Sequence, residues 1–258
     1  MPTIRTKTYS GAVLEYEQFT ISDTIVNMKT VKPKTRRDLT PEEKAEHTRR
    51  QSKTRFTRAV NRNFTHKSYY LTLTYNAESL PLTIEEAVKS RNLYIRRIKH
   101  SNPDAKIIAV TGYGRRSGRL HHHLIIDNAA EADIIGKWTG GEVYHIENLR
   151  RHNYYGMVDH GEDFTGLAEY LFSHVPENYV GKRWYQSKNL IKPEEKDKRQ
   201  SKIVYTESNP PKAPAGYKHV STYKCPYYKS TYIRFKFVRI TPPKDEPPLK
   251  IKHPYSRM

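Results

Sequence analysis

Three consecutive histidines, His121, His122 and His123, sit in an apolar run between Leu120 and the triplet Leu124, Ile125 and Ile126. In a strand the side-chain period is two, so His121 and His123 share one face and His122 points to the other. Two imidazoles on one face are half of a metal site. A third ligand, often a carboxylate, completes such a set and leaves positions open for substrate. The same spacing also suits a hydrogen-bonded buried histidine beside two solvated ones. The second residue of chemical interest is Tyr170, in the segment from Thr165 to Val175. A phenol with a pKa of about 10 is a poor nucleophile unaided, but it can attack a phosphodiester once a metal polarises the phosphate. As one tyrosine among 20, Tyr170 is equally a structural ring.

These residues need elements to hold them. Lys106 to Val110 and Leu120 to Ile126 read as two strands joined across a loop rich in glycine and arginine, a β-hairpin with a basic tip at Arg115, Arg116 and Arg119. Tyr69 to Tyr75 alternates aromatic, leucine and threonine residues and reads as a strand. Thr83 and Glu86 form a capping-box start for a helix to about His100, with Ala87, Leu93, Tyr94, Ile95 and Ile98 as its apolar positions. Ala129 to Trp138 reads as a short helix and Gly141 to Ile146 as another strand. Thr165 to Val175 is a helix with Leu167, Leu171 and Phe172 towards the core. Ala12 to Ile21 is a short early strand, and Thr40 with Pro41, Glu42 and Glu43 opens a basic helix within 31–63. Beyond Gly181 the pattern weakens, with a Pro-rich linker at Ser208 to Gly216 and a late strand in Tyr227 to Ile240. The order implies an α+β domain, an antiparallel sheet with helices packed on it.

The charge names a partner class. With 46 Lys and Arg against 27 Asp and Glu, the net charge of +19 attracts polyanions, nucleic acid first. Tyrosine outnumbers phenylalanine 20 to 7, and rings interleaved with cations suit a groove where unpaired bases stack. Arg115, Arg116, Arg119, Lys182, Arg183 and Lys188 are the candidate phosphate contacts, with Tyr113 and Trp184 the candidate stacking rings. One cysteine, Cys225, excludes an intramolecular disulfide and a cysteine-based zinc site. No apolar run approaches about 18 residues and the N-terminal segment lacks a signal peptide's apolar stretch, so a soluble, cytoplasmic protein is expected. No Gly-rich phosphate loop followed by Lys-Ser or Lys-Thr is present, so strand unwinding must come from elsewhere.

The Tyr69 to Tyr75 strand, the Ile108 to Thr111 strand leading through Gly112, Tyr113 and Gly114 to the histidines, and the Leu167 to Leu171 segment resemble, in order and spacing, three motifs. They are those of HUH-superfamily rolling-circle replication initiators. The segments Lys182 to Leu190 and Leu14 to Phe19 further resemble the phage- and plasmid-type replication-associated proteins of Firmicutes. The resemblance implies a five-stranded antiparallel sheet with the paired histidines on a central strand and a nucleophilic tyrosine on a facing helix, here His121, His123 and Tyr170. It implies a divalent cofactor, Mg²⁺ or Mn²⁺, and a transesterification that leaves a 5′-phosphotyrosine link and a free 3′-hydroxyl. Two positions depart from the family pattern. Gly112 stands where a carboxylate ligand is common, leaving Glu169, Asp127, His145 or water to complete the shell, and Ser173, beside His174, stands where a lysine is common.

The resulting expectation is a nuclease core over 64–190, a strand and basic helix over 1–63, a C-terminal extension over 191–240 and a disordered tail over 241–258. Its function would be to nick single-stranded origin DNA in a bacterial cell or phage-infected host, with a host helicase and polymerase as partners and no membrane. The alternatives are an HUH-type transposase, a single-strand binder on the same fold whose catalytic site has decayed, and a basic RNA-binding domain with incidental histidines.

Overall fold

A computed structural model describes residues 3–21, 40–114, 117–151, 161–177, 179, 181–227 and 230–240. The expected tail over 241–258, most of the basic stretch before Thr40, and the candidate contacts Arg115 and Arg116 lie outside them. The chain forms two compact units, one of 43–150 with 164–192, the other of the remaining described segments. The fold is α+β with antiparallel sheets, as the element order implies.

The first unit contains α1 (Pro41–Asn63), β3 (Tyr69–Leu73), α2 (Ile84–Ser101), β4 (Lys106–Tyr113), β5 (Leu120–Asp127), α3 (Glu131–Gly136), β6 (Val143–Asn148), α4 (Thr165–Ser173) and β7 (Tyr185–Gln186). Its sheet has the order β6-β3-β5-β4-β7, every neighbour antiparallel, so β5 with the histidines is central. Directly opposed residues share a face. One face carries Leu71, Leu73, Ile107, Ala109, Leu124 and Ile126 under α2 and α3, where Tyr94, Ile95, Ile98 and Ile134 close the core. The other carries Tyr70, Ile108, Val110 and Ile125 under α1 and α4, packed by Phe56, Val60, Ala168, Leu171 and Phe172. Because both faces are covered, β4 and β5 lose the polar alternation of a half-buried strand and become almost wholly buried.

The helix α2 starts as its sequence dictates. The Thr83 hydroxyl accepts from the Glu86 backbone N–H at 3.2 Å, while the Glu86 carboxylate accepts from the N–H groups of Thr83 and Leu82. Its buried face is Ala87, Arg91, Tyr94, Ile95 and Ile98, and Leu93, expected inside, is exposed. The arginine in that stripe has a task. Arg91 Nη1 donates to the Thr111 hydroxyl at 2.9 Å, so that hydroxyl's only proton goes to His122 Nδ1, also at 2.9 Å. His122 is thereby fixed as the Nε2–H tautomer, which donates to the Tyr75 hydroxyl at 2.6 Å. Burial, then the nearby Arg91 charge and His121, hold His122 well below the ordinary histidine range, so it is neutral.

The second unit is a sheet of order β8-β1-β2-β10-β9, built from β1 (Thr3–Ser10), β2 (Val13–Ile21), β8 (Glu194–Ser201), β9 (Tyr217–Tyr227) and β10 (Ser230–Arg239). The segments expected as an N-terminal and a C-terminal extension therefore pair with each other, β2 against β10. Leu14, Ile233, Phe235 and Phe237 form its core. The Pro-rich stretch around Ser208 to Gly216 covers that core through Ala213, and Gln18 pins the chain just before it by donating to the Tyr205 carbonyl at 3.0 Å and accepting from the Tyr205 N–H at 2.9 Å. Among the described residues no helix is long and apolar enough to cross a membrane.

The polar chain beneath β5 is testable. Thr111→Val keeps the shape of the side chain but strips Arg91 and His122 of a shared buried partner, and it is expected to cost about 1–3 kcal/mol of stability by urea denaturation.

Candidate active site

His121 and His123 project from the α1/α4 face of β5, opposite to His122. Their Nε2 atoms lie 3.0 Å apart. A third imidazole joins them from α4: His174 caps that helix, its ring centroid 4.4 Å from that of His123 and 5.2 Å from that of His121. The ligand atoms of His121, His123 and His174 all fall within 4.8 Å of one another.

The tautomers favour convergence on a cation. His121 Nδ1 donates to the Arg119 carbonyl at 3.2 Å and His174 Nδ1 donates to the Tyr170 carbonyl at 3.0 Å, because a carbonyl only accepts. In the neutral rings each Nε2 then carries the ring's acceptor lone pair. His123 Nδ1 lies 3.0 Å from both the Thr72 and the Tyr70 hydroxyls, which can accept its proton and free Nε2 in the same way. Burial pushes the Tyr70 hydroxyl up to about 12, so it remains a neutral hydroxyl. Burial also holds His121 below its ordinary range, against the opposing pull of its bond to Arg119. It drives His123 down to about 2, helped by the neighbouring His121, His174 and His122. A shared proton, as between His121 and His123, or a bound ion relieves the repulsion of such crowded nitrogens, and imidazoles oriented through Nδ1 suit an ion. Bonds of about 2.0–2.1 Å put neighbouring donors roughly 3 Å apart, close to the 3.0 Å between the Nε2 atoms of His121 and His123. The triad is positioned to hold a metal ion.

Gly112 explains why the third donor is a histidine from the helix. Gly112 is opposite His121 on β4 and shares its face. A Cβ on Gly112 would lie 1.9 Å from the His174 carbonyl oxygen and 2.7 Å from its carbon, so any side chain there would displace the end of α4. A carboxylate at this position and His174 in its observed place are mutually exclusive. Of the donors the sequence left open for the third place, Glu169 pairs with Lys53 at 3.0 Å and His145 pairs with Glu147 at 3.2 Å. Neither they nor Asp127 join the cluster. His174 was overlooked because its signal, four residues after Tyr170 on one helical face, acquires meaning only once α4 is seen to end on β4.

Tyr170 is 46% exposed and belongs to the same turn as His174, with ring centroids 4.7 Å from His174 and 5.6 Å from His123. The hydroxyl of Ser173 donates to the Tyr170 carbonyl at 2.6 Å. Tyr113 is exposed at the end of β4, and Arg119 Nη2 donates to the Tyr75 carbonyl at 2.9 Å. Lys182 is exposed and lies over the Tyr185 ring, Arg183 is half-buried and Lys188 is exposed. Trp184 is held inward, edge-on to Phe56 at 5.2 Å with its indole N–H donating to the Ser52 hydroxyl at 3.2 Å.

Two outcomes are expected. Gly112→Ala pushes the α4 end off β4, destabilising the chain by about 1–3 kcal/mol and weakening divalent-ion binding about 10- to 100-fold by calorimetric titration. In the metal-free protein, His122 and His123 stay neutral when folded but take protons when unfolded below about pH 6.5. Stability is therefore lost as pH falls from about 6.5 towards the lowered folded values, by up to about 1.4 kcal/mol per pH unit for each histidine. Urea denaturation from pH 7 to pH 5 reads this slope.

No curated protein and no solved structure matches the chain. Residues 68–178 match the family model of replication-associated protein ORF2/G2P. That segment contains all three resembling motifs, the histidine triad and Tyr170, and its family is consistent with a rolling-circle replication initiator.

Proposed function

We propose that this chain starts rolling-circle replication by nicking single-stranded origin DNA with Tyr170 as the nucleophile. The observation that carries the reading is the shared turn of α4: Tyr170 and His174 project together against His121 and His123, so the Tyr170 ring stands beside two of the three clustered imidazoles, His174 and His123. His121, His123 and His174 would hold a divalent ion, which would supply the Lewis acidity that polarises the scissile phosphate. Of Mg²⁺ and Mn²⁺, the second accepts nitrogen donors more readily than the oxygen-seeking first.

The side chains divide the remaining work. Tyr170, half in solvent, can reach a strand laid across the open side of α4. Its oxygen forms a bond to phosphorus as the bond to the 3′ oxygen breaks, leaving a 5′-phosphotyrosine and a 3′-hydroxyl that primes synthesis. The tyrosyl ester conserves the phosphate bond, so a later 3′-end can reverse the step and close a circle. Arg119, Lys182 and Lys188 take flanking phosphates, joined by Arg115, Arg116 and Arg183, and Tyr113 stacks an unpaired base. Trp184, packed on Phe56, supports the 182–188 segment from below. A host helicase and polymerase in the cytoplasm of a bacterial or phage-infected cell complete the process. The contrary reading, a decayed site, drew on the substitutions at Gly112 and Ser173, and His174 now supplies the donor that Gly112 cannot.

The test is incubation of the purified protein with Mn²⁺ and a labelled single-stranded DNA library, followed by denaturing gel and mass spectrometry. A tyrosyl-DNA adduct is expected at Tyr170, absent in both Tyr170→Phe and His123→Ala. Tight, salt-sensitive binding without any adduct would replace the nickase with a single-strand binder.

A further inference from the structure

Transesterification at phosphorus must end with a proton on the departing 3′ oxygen, and imidazoles that hold a metal ion through Nε2 have none to spare. With Nε2 on the ion, their Nδ1 protons face the Arg119 carbonyl, the Tyr170 carbonyl and the Thr72 and Tyr70 hydroxyls. Among the described residues, one further imidazole of the same sheet face is outside the cluster. His145 on β6 is directly opposite Thr72 on β3, which is directly opposite His123 on β5, so His145 stands in the same cross-strand row as that ligand. Two strand spacings, about 10 Å of backbone, separate them. Tyr70 fills the floor between, its ring stacked 5.8 Å from His123 and tilted 5.6 Å from His145.

His145 is also built to be aimed. Its Nε2 lies 3.2 Å from Glu147 Oε1, and Glu147 is itself gripped through Oε2 by Arg150, whose Nε donates at 2.8 Å. With Nε2 given to the carboxylate, Nδ1 is left for a substrate, and the side chain is part-exposed at 42%. Tyr170 stands against His123 from α4, and His145 reaches the same sheet face from β6, beyond β3. An in-line displacement assigns the nucleophile and the leaving oxygen to different groups on opposite sides of phosphorus, and His145 is the second group available.

We propose that His145, oriented by Glu147, is the general acid that protonates the leaving 3′ oxygen, and in the reverse step the base that deprotonates the attacking 3′-hydroxyl. This rests on the tyrosine-nickase reading. As the Tyr170 oxygen bonds to phosphorus and the P–O3′ bond breaks, the imidazolium proton passes to O3′. The phenol proton leaves to water, and the imidazole regains its proton from solvent, so the net transfer is one proton from phenol to 3′-hydroxyl.

The experiment compares two oligonucleotides with the full chain and Mn²⁺, one natural and one with sulfur in place of the bridging 3′ oxygen at the scissile phosphate. A thiolate leaves without protonation. His145→Gln is expected to slow cleavage of the oxygen substrate about 100-fold or more, yet to cleave the sulfur substrate within a few-fold of the unaltered protein. It should leave Mn²⁺ affinity and metal-free oligonucleotide binding, read by fluorescence anisotropy, unchanged. Equal slowing of both substrates, no slowing of either, or lost binding would overturn the assignment. If the unaltered protein gives no tyrosyl adduct with either substrate, the nickase reading fails first and the general acid falls with it.

Discussion

The contact between the last turn of α4 and the Cα of Gly112 governs the site. It brings His174 beside His121 and His123 and, through the same turn, places Tyr170 over them. No other residue type tolerates the approach, because the atom that a Cβ would strike is backbone and cannot rotate away. The surrounding architecture serves to press that turn down. Phe172 and Leu171 seat α4 on the sheet, Phe56 of α1 packs on Phe172, and Arg49 Nη1 donates to the Val175 carbonyl at 3.2 Å just beyond the cap.

Against this anchor, the electrostatics of the triad follow from burial. Taking imidazoles out of water penalises their charged forms, and the neighbouring imidazoles penalise that of His123 further, so both strand histidines are held towards their neutral forms. The hydrogen bonds to Arg119 and Tyr170 decide which nitrogen faces inward. They are made to backbone carbonyls, which mutation of the side chains around them leaves in place.

Part of this was legible in the residues alone. The alternation that puts His121 and His123 on one face and His122 on the other is a property of any strand, and the capping box of α2 is local chemistry between Thr83 and Glu86. The motif order also pointed to the family whose model matches 68–178. What was hidden depended on distance in sequence. His174 becomes a donor because of where α4 ends, which Gly112, some 60 residues earlier, decides. The second sheet unites β2 and β10, which are separated by most of the chain, and no local pattern announces that pairing. Leu93, one of the apolar positions of α2, is exposed for a related reason: hydrophobicity says that a side chain seeks cover but not whether cover is offered.

The buried polar chain from Arg91 through Thr111 and His122 to Tyr75 has a consequence for assembly of the sheet. A strand covered on both faces carries no inside-outside pattern, so hydrophobicity does not distinguish β5 from its own copy displaced by one residue. The run of three histidines makes that ambiguity worse, since the displaced strand would still offer imidazole to each side. Only the correct alignment gives the underside a single ring that matches the hydroxyls of Thr111 and Tyr75. The least visible of the three histidines thus acts as the key that indexes the other two, proofreading the alignment on which the upper surface depends.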